Sequence, residues 1–270
     1  MTELLPIRLL VFDRDANRRA ALEGRVRGVL IELSESVDEL RQAQGNHEAS
    51  LLVADPCPEP QAVESLVSAS MESGRQFVMV NPDRYHPSRR LIHEQLAAPL
   101  GKVGLVRIHR WEPPSDLERE FPDALLRDID LALWLVGMRA ARVFALRQGT
   151  GYWQVHLGFA SGAMALLDYS SQLPVGRGYQ SLSVIAANGA AYADDQQNMQ
   201  LLYRGGHPRA LRTDENAAHL GVAVQEFADA LRAGRDLMTA NEREWRHVFA
   251  VAQAVQKSLA TCQAVAMEAP

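Results

Sequence analysis

The chain reads as an α/β protein: a shortened Rossmann-like parallel sheet domain, then an α+β domain carrying an open, mostly antiparallel sheet. Three observations predict this. Short apolar runs alternate with helical stretches over the first hundred residues; beyond Gly104 β-like runs follow one another with little helix between them; two helical stretches close the chain. Alternation argues for parallel strands with helices on both faces, and successive strands for an antiparallel sheet with one solvated face.

The elements follow in order. "IRLLVF" (7–12) suits a strand buried on both faces, and "DANRRAALEGRV" (15–26) has helical composition behind an acid that can cap it. "GVLIEL" (28–33) is a second strand, and the spacing of Ser34 and Val37 suits a capped helix over 34–45. "ASLLVADP" (49–56) is a third strand stopped by Pro56, followed by a helix over 59–74 and a fourth strand, "QFVMVN" (76–81). "GLVRIHRW" (104–111) alternates like a half-buried strand, and "DALLRDIDLALWLVG" (123–137) is a helix that is apolar over most of its perimeter. The runs at 141–148, 152–159, 163–170, 179–187, 190–194 and 199–205 supply the second sheet. In the last helix Thr239 and Glu242 form a capping box, and Trp245, Val248, Phe249, Ala252 and Val255 recur at helical spacing as a core stripe. We expect two domains, 1–103 and 104–270, with the terminal helices able to pack back on the first.

A net charge of -5 offers no general field for nucleic acid or an anionic membrane, and no segment approaches the ~20 apolar residues of a membrane span. With no leader pattern at the start, a soluble cytoplasmic protein is expected. Cys57 and Cys262 belong to no C-x-x-C pair, and His86, His93 and His109 lack the spacing of a helical metal pair, so no metal is expected.

On a helix Asp123, Arg127, Asp130 and Trp134 fall on one narrow face, at i, i+4, i+7 and i+11. That face either pairs internally, with Arg127 bridging carboxylates, or borders a cavity. The loop "NPDRYHPS" (81–88) adds Arg84, Tyr85 and His86 behind a strand, where open α/β sheets bind ligands.

These pieces resemble the glucose-fructose oxidoreductase/inositol dehydrogenase family. The resemblance is carried by "FVMVNPDRYHPS", "LGKVGLVRIHRW", "DALLRDIDLALWLVG", "GFASGAMALLDYS" and the terminal "EFADALRAGRDLMTANEREWRHVFAVAQAVQKSL", in that order over about residues 50–265. It implies a dinucleotide-binding domain followed by a domain whose open sheet makes oligomer contacts, and a reaction on a sugar or polyol with NAD(P).

The chain departs from that pattern at three places. Where the resemblance implies a proton-handling His between two Asp, it has Asp123, Arg127, Asp130, and a guanidinium stays protonated near neutral pH. Where it implies Glu-Lys-Pro, the nearest counterpart is "ADP" (54–56), with Asp55 in the Lys position. Where it implies a Gly-x-Gly-x-x-Gly turn, no glycine occurs between Phe12 and Gly24; alternatively 7–12 is the second strand and Asp13 the ribose-binding acid, with too few residues ahead of it for a first βα unit.

The expectation is therefore a catalytically degenerate relative, a pseudoenzyme without its own dinucleotide site. Arg84, Tyr85, His86, Asp123, Arg127 and Asp130 line its cleft for a small polar ligand or peptide, and no cofactor is expected. Its partner is a second copy, through the open sheet, or a full-length relative. The alternative is an active NAD(P)-dependent oxidoreductase with atypical cofactor binding that borrows a base from His86, Tyr85 or Tyr179. A lyase or isomerase is a third reading.

Overall fold

The computed structural model describes residues 7–13, 19–20, 22, 26–34, 49–54, 60–97, 99–114, 121–173, 178–194, 199–203, 209–211 and 219–267. In chain order the elements are β1 (Ile7–Phe12), β2 (Val29–Ser34), β3 (Ser50–Val53), α1 (Pro60–Glu72), β4 (Phe77–Met79), a 3₁₀ turn (Pro82–Tyr85), α2 (Pro87–Ala97), β5 (Val103–Trp111) and α3 (Asp123–Val136). There follow β6 (Ala140–Gln148), β7 (Tyr152–Phe159), β8 (Met164–Ser170), β9 (Tyr179–Ala186), β10 (Gly189–Asp194), β11 (Met199–Tyr203), β12 (Arg209–Leu211), α4 (His219–Arg232), α5 (Met238–Thr261) and β13 (Val265–Ala266). Both expected sheets are present. The helices expected over 15–26 and 34–45 lie almost wholly outside the described residues, and Ser34 is the buried last residue of β2.

The chain divides into two compact units, Met1–Tyr85 with Ala217–Arg246, and His86–Asn216 with His247–Pro270. The single boundary expected at 103/104 differs from this division. Packing is the reason: Arg89 and His93 of α2 are engaged with Gln180 and Trp134 of the second unit, whereas α4 lies on the parallel sheet.

In the first unit four parallel strands run in the order β2-β1-β3-β4. Strand β1 pairs with β2 on one side (Leu9 with Ile31) and with β3 on the other (Leu9 with Ser50). Such a strand has no solvated face, which is why "LLVF" is unbroken by polar residues and wholly buried. Helix α4 lays Leu220, Ala223, Val224 and Phe227 on Leu9, Val11, Leu52, Val78 and Val80, each buried apolar side chain contributing about 1.5–3 kcal/mol. The Asn241 and Trp245 side chains serve the backbone of Met79 in β4: Asn241 Oδ1 accepts its N–H at 2.8 Å, while Asn241 Nδ2 and Trp245 Nε1 donate to its carbonyl at 2.7 and 2.6 Å. Helix α5 begins beneath Asp236, whose carboxylate accepts from the Met238 and Thr239 amides and the Thr239 hydroxyl. Asp236 is therefore the cap, and Glu242 of the expected capping box instead pairs with Arg246 at 2.7 Å.

The second unit holds nine strands in the order β12-β11-β10-β9-β5-β8-β7-β6-β13, antiparallel except for the parallel pair β5–β8. One face is covered. Helix α3 packs there through Leu125, Leu126, Ile129, Leu131 and Leu135, ending at Gly137, whose positive φ (68°) lets its N–H cap the Leu133 carbonyl. The C-terminal part of α5 serves β6: the Ala140 N–H donates to His247 Nε2 and the Ala145 N–H to Ser258 Oγ, both at 3.0 Å. The opposite face is the open one, where Trp111, Leu146, Tyr152, Met164, Ile185 and Tyr192 are exposed.

Candidate functional site

The first unit carries a corner at the C-terminal end of β1. Because β2 lies on one side of β1 and β3 on the other, the sheet order reverses there, the position at which open α/β sheets seat ligands. Three strand ends are level at this corner: the Asp13 N–H donates to the Ser34 carbonyl at 3.4 Å and the Ala54 N–H to the Phe12 carbonyl at 2.8 Å. Asp13, Ser34 and Ala54 are all buried. Arg19, from the segment after β1, donates from Nη1 to the Asp13 carbonyl oxygen. Sheet order thus favours β1 as a first strand, with Asp13 at its C-terminal corner. Ser34 stands at the matching end of β2.

In the second unit a buried polar cluster lies between α3 and the sheet. Alternation along β5 buries Val106, Ile108 and Arg110 on the covered face. Arg110 forks onto Asp128 of α3: its Nε lies 3.0 Å from both carboxylate oxygens and its Nη2 2.7 Å from Oδ1. Gln180 of β9 bridges onward, donating to Asp128 Oδ1 at 3.2 Å and accepting from Arg89 Nη2 at 3.0 Å. Arg89 and Asp130 are fully buried and Asp128 is 1% exposed.

At the edge of this cluster Glu112 Oε1 is 3.5 Å from Arg110 Nη1 and 3.9 Å from Arg127 Nη2. Tyr169 of β8 belongs to the same neighbourhood. Burial first, then the Glu112 carboxylate, push its phenol up to about 12, against the opposing pull of Arg110 and Arg127. The hydroxyl therefore keeps its proton across the physiological range. Tyr169 also lines, with Trp111, Tyr152, Gln154, Ser170 and Leu173, a groove of about 560 Å³.

The expected cleft residues fall in both units. Arg84 and Tyr85 belong to the first, where Arg84 pairs with Glu244 at 3.0 Å and Tyr85 packs against the core under α4. His86, Asp123, Arg127 and Asp130 belong to the second. His86 opens α2, its carbonyl accepting the Arg90 N–H at 2.9 Å. Of the expected helical face, Arg127 reaches Glu112, Asp130 is wholly buried, and Trp134 is stacked on His93 of α2 at 3.9 Å. Tyr179 stands apart, its hydroxyl donating to Asp194 at 3.2 Å and its ring against Trp111. Asp55 and Cys57 lie outside the described residues.

Sequence reasoning missed Arg110, Asp128, Gln180, Glu112 and Tyr169. One signal was readable: in "VRIHR" an arginine occupies the phase of Val106 and Ile108, and a charge on a buried phase requires a buried counter-charge. Among the described residues no group of three His, Cys, Asp or Glu could hold a metal ion, and no helix is long and apolar enough to cross a membrane.

No protein-family model and no curated protein matches the chain. Solved structures do. An oxidoreductase from Agrobacterium radiobacter in complex with NAD+, L-tartaric acid and magnesium matches with a TM-score of 0.77 at 11% identity, over 96% of this chain and 98% of that one. GenD2 of gentamicin A biosynthesis, in complex with NAD, matches with a TM-score of 0.76 at 17% identity, over 100% and 98%. A structure from Sinorhizobium meliloti 1021 assigned as a myo-inositol dehydrogenase matches with a TM-score of 0.76 at 14% identity, over 97% and 100%.

These findings correct the expectation of no cofactor. Two structures matched over 96% and 100% of this chain were solved with the nicotinamide dinucleotide in place. The expectation rested on the missing glycines, but the seat of a ligand on such a sheet is set by the reversal of strand order. Over nearly its full length, the chain has the fold of the glucose-fructose oxidoreductase/inositol dehydrogenase type of oxidoreductase.

Proposed function

We propose that the protein is an NAD(P)-dependent oxidoreductase acting on a sugar-like or polyol substrate, with atypical seating of its cofactor. The observation that carries this reading is the match of the whole chain to NAD-bound oxidoreductases. The corner at β1 fits such a group: three buried strand ends stand level at Asp13, Ser34 and Ala54, and Arg19 brings a cation to them. The Ser34 hydroxyl is the polar group at the end of β2.

When bound, the nicotinamide supplies or takes the hydride. The chain's own residues handle the substrate oxygen and its proton. Arg127, permanently charged, orients and polarises an oxygen but cannot accept its proton. Tyr169 keeps its proton beside Arg110 and Arg127, which suits it to donate to a developing alkoxide in the direction of carbonyl reduction. Arg110 and Asp128 fix the floor beneath them. The open face, with its exposed Trp111, Leu146, Tyr152, Met164, Ile185 and Tyr192, is the surface through which a second copy associates.

The second reading is a member that binds ligand without turning it over, favoured by Arg127 at the position of the implied His. Calorimetric titration of the full chain with NADH and NADPH, followed by aldose and polyol turnover assays, separates the two. Binding with turnover supports the oxidoreductase; binding without turnover supports the second reading; absence of binding refutes the proposal.

A further inference from the structure

We propose that the substrate is an acidic sugar or polyol, carrying a carboxylate at the end remote from the reacting carbon, and that Arg147 and Trp153 select it. The inference rests on the oxidoreductase reading above and names the substrate class of that same site.

One row of the second sheet carries the argument, and all of it lies within the second unit. Cross-strand register sets Arg110 of β5 beside Tyr169 of β8, Tyr169 beside Trp153 of β7, and Trp153 beside Arg147 of β6. Arg110, Tyr169 and Trp153 are buried on the covered face; Arg147 shares the phase of the buried Val143 and Ala145 but is exposed near the strand's end. Neighbouring strands are ~4.8 Å apart, so Arg147 stands ~10 Å from Tyr169, about the length of a six-carbon polyol with its end oxygens.

Two groups in this row have no protein partner to account for them. The Trp153 side chain is only 4% exposed, yet its indole N–H donates to no acceptor, and a buried donor left unpaired costs free energy. The Arg147 guanidinium lies over the Trp153 ring, its Cζ 5.1 Å from the centroid, and meets no carboxylate among the described residues. That ring contact engages the cation's charge and leaves its planar fork of N–H donors for a carboxylate, which such a fork meets in pairs. Phe121 stands edge-on to Trp153 at 5.5 Å and fixes the indole from another side.

Arg147, Trp153 and Tyr169 all line the groove of about 560 Å³, within the ~300–1,000 Å³ of small-molecule sites. The exposed rings of Trp111 and Tyr152 give it apolar walls suited to the C–H faces of a sugar. Charge then selects the ligand. Among the described lining residues Arg147 is the one cation and Asp168 the one acid, and the Asp168 carboxylate is already held by His109 Nδ1 and Gln154 Nε2, both at 2.9 Å. A single guanidinium matches the one charge and two oxygens of a carboxylate. A phosphate dianion would bring a second charge near Asp168 with no second cation to meet it.

The test uses the full chain, with calorimetric binding and NAD(P)H-linked turnover of D-glucuronate, D-glucose and D-glucose 6-phosphate. Wild type is compared with Arg147→Ala, Arg147→Lys and Trp153→Phe. Wild type is expected to favour glucuronate over glucose ~10- to 100-fold, the range of hydrogen bonds to charged groups, and to favour it over glucose 6-phosphate. Arg147→Ala abolishes the preference over glucose, and Arg147→Lys restores only part of it, because an ammonium lacks the fork. Trp153→Phe keeps a ring but loses the donor, so the preference falls ~3- to 10-fold. A preference that survives Arg147→Ala, or a wild type that favours glucose or glucose 6-phosphate, overturns the inference; turnover of any of the three still upholds the oxidoreductase reading. Glucuronate bound through Arg147 but never turned over upholds the carboxylate site and overturns the oxidoreductase reading. Binding of none of the three overturns both.

Discussion

Replacing Asp128 with Leu removes the counter-charge beneath α3 and leaves its partner in place. Arg110 loses three contacts to Asp128, at 3.0, 3.0 and 2.7 Å, and Gln180 loses its acceptor. Breaking a buried ion pair by deleting one member costs about 3–5 kcal/mol, because the other charge stays buried without compensation. Here Glu112 remains 3.5 Å from Arg110 but is about one-third exposed, so it retains only a small part of the interaction. We expect a loss near the lower end, about 3 kcal/mol, a large fraction of a typical 5–15 kcal/mol domain stability. The double variant Arg110→Leu/Asp128→Leu buries no charge and should recover most of that loss. Urea unfolding in a Trp245→Phe background is the assay, since Trp111, Trp134 and Trp153 then all report on the second unit. A single variant costing under about 1 kcal/mol, or a double variant no better than the single, would refute the reasoning.

Three further outcomes follow from the same structure. Burial, and secondarily Arg139, lower the His247 imidazole to about 4, and its Nε2 accepts the Ala140 N–H, which a protonated ring cannot do. Its stabilising contribution is complete above the ordinary imidazole value of about 6.5 and is lost as pH falls from there toward 4, with a slope of up to ~1.4 kcal/mol per pH unit; His247→Gln should flatten that part of a pH–stability curve. Gly28 has φ of 64°, and a Cβ there would stand 2.8 Å from Arg232 Nη2, which holds the Gly28 carbonyl at 2.7 Å; Gly28→Ala should destabilise by at least about 1–2 kcal/mol in urea, and an unchanged midpoint contradicts this. Tyr169→Phe should lower kcat ~10²- to 10⁴-fold with a smaller change in KM, as expected for a lost proton donor, and full activity in that variant would move the proton to another group.

The parallel sheet was legible because strands buried on both faces read as near-continuous apolar runs, such as "LLVF" and "LLVA". Helical spacing made Trp245, Val248, Phe249, Ala252 and Val255 readable as core, and all five are buried. The order of pieces from residue 50 onward identified the fold. Less was legible where one residue's role depends on a distant partner. Asp128 sits among Leu125, Leu126 and Ile129 and looks like a minor charge until Arg110, eighteen positions earlier, is seen opposite it. Ser34 reads as a helix cap by local chemistry, but pairing with β1 holds it in a strand. The place of α2 was not legible because it is continuous in sequence with the first sheet, yet Arg89 and His93 engage Gln180 and Trp134 of the second unit. The largest error, the missing cofactor, came from treating three glycines as the whole of a binding site. A corner is also made by topology and charge, and only the structure showed that Arg19 stands at this one.

The most direct measurement is a crystal structure of the full chain with NAD+. Ordered dinucleotide is predicted at the C-terminal end of β1, beside Asp13 and Ser34. Ordered dinucleotide elsewhere on the protein, or saturating NAD+ with no density at that corner, would contradict it.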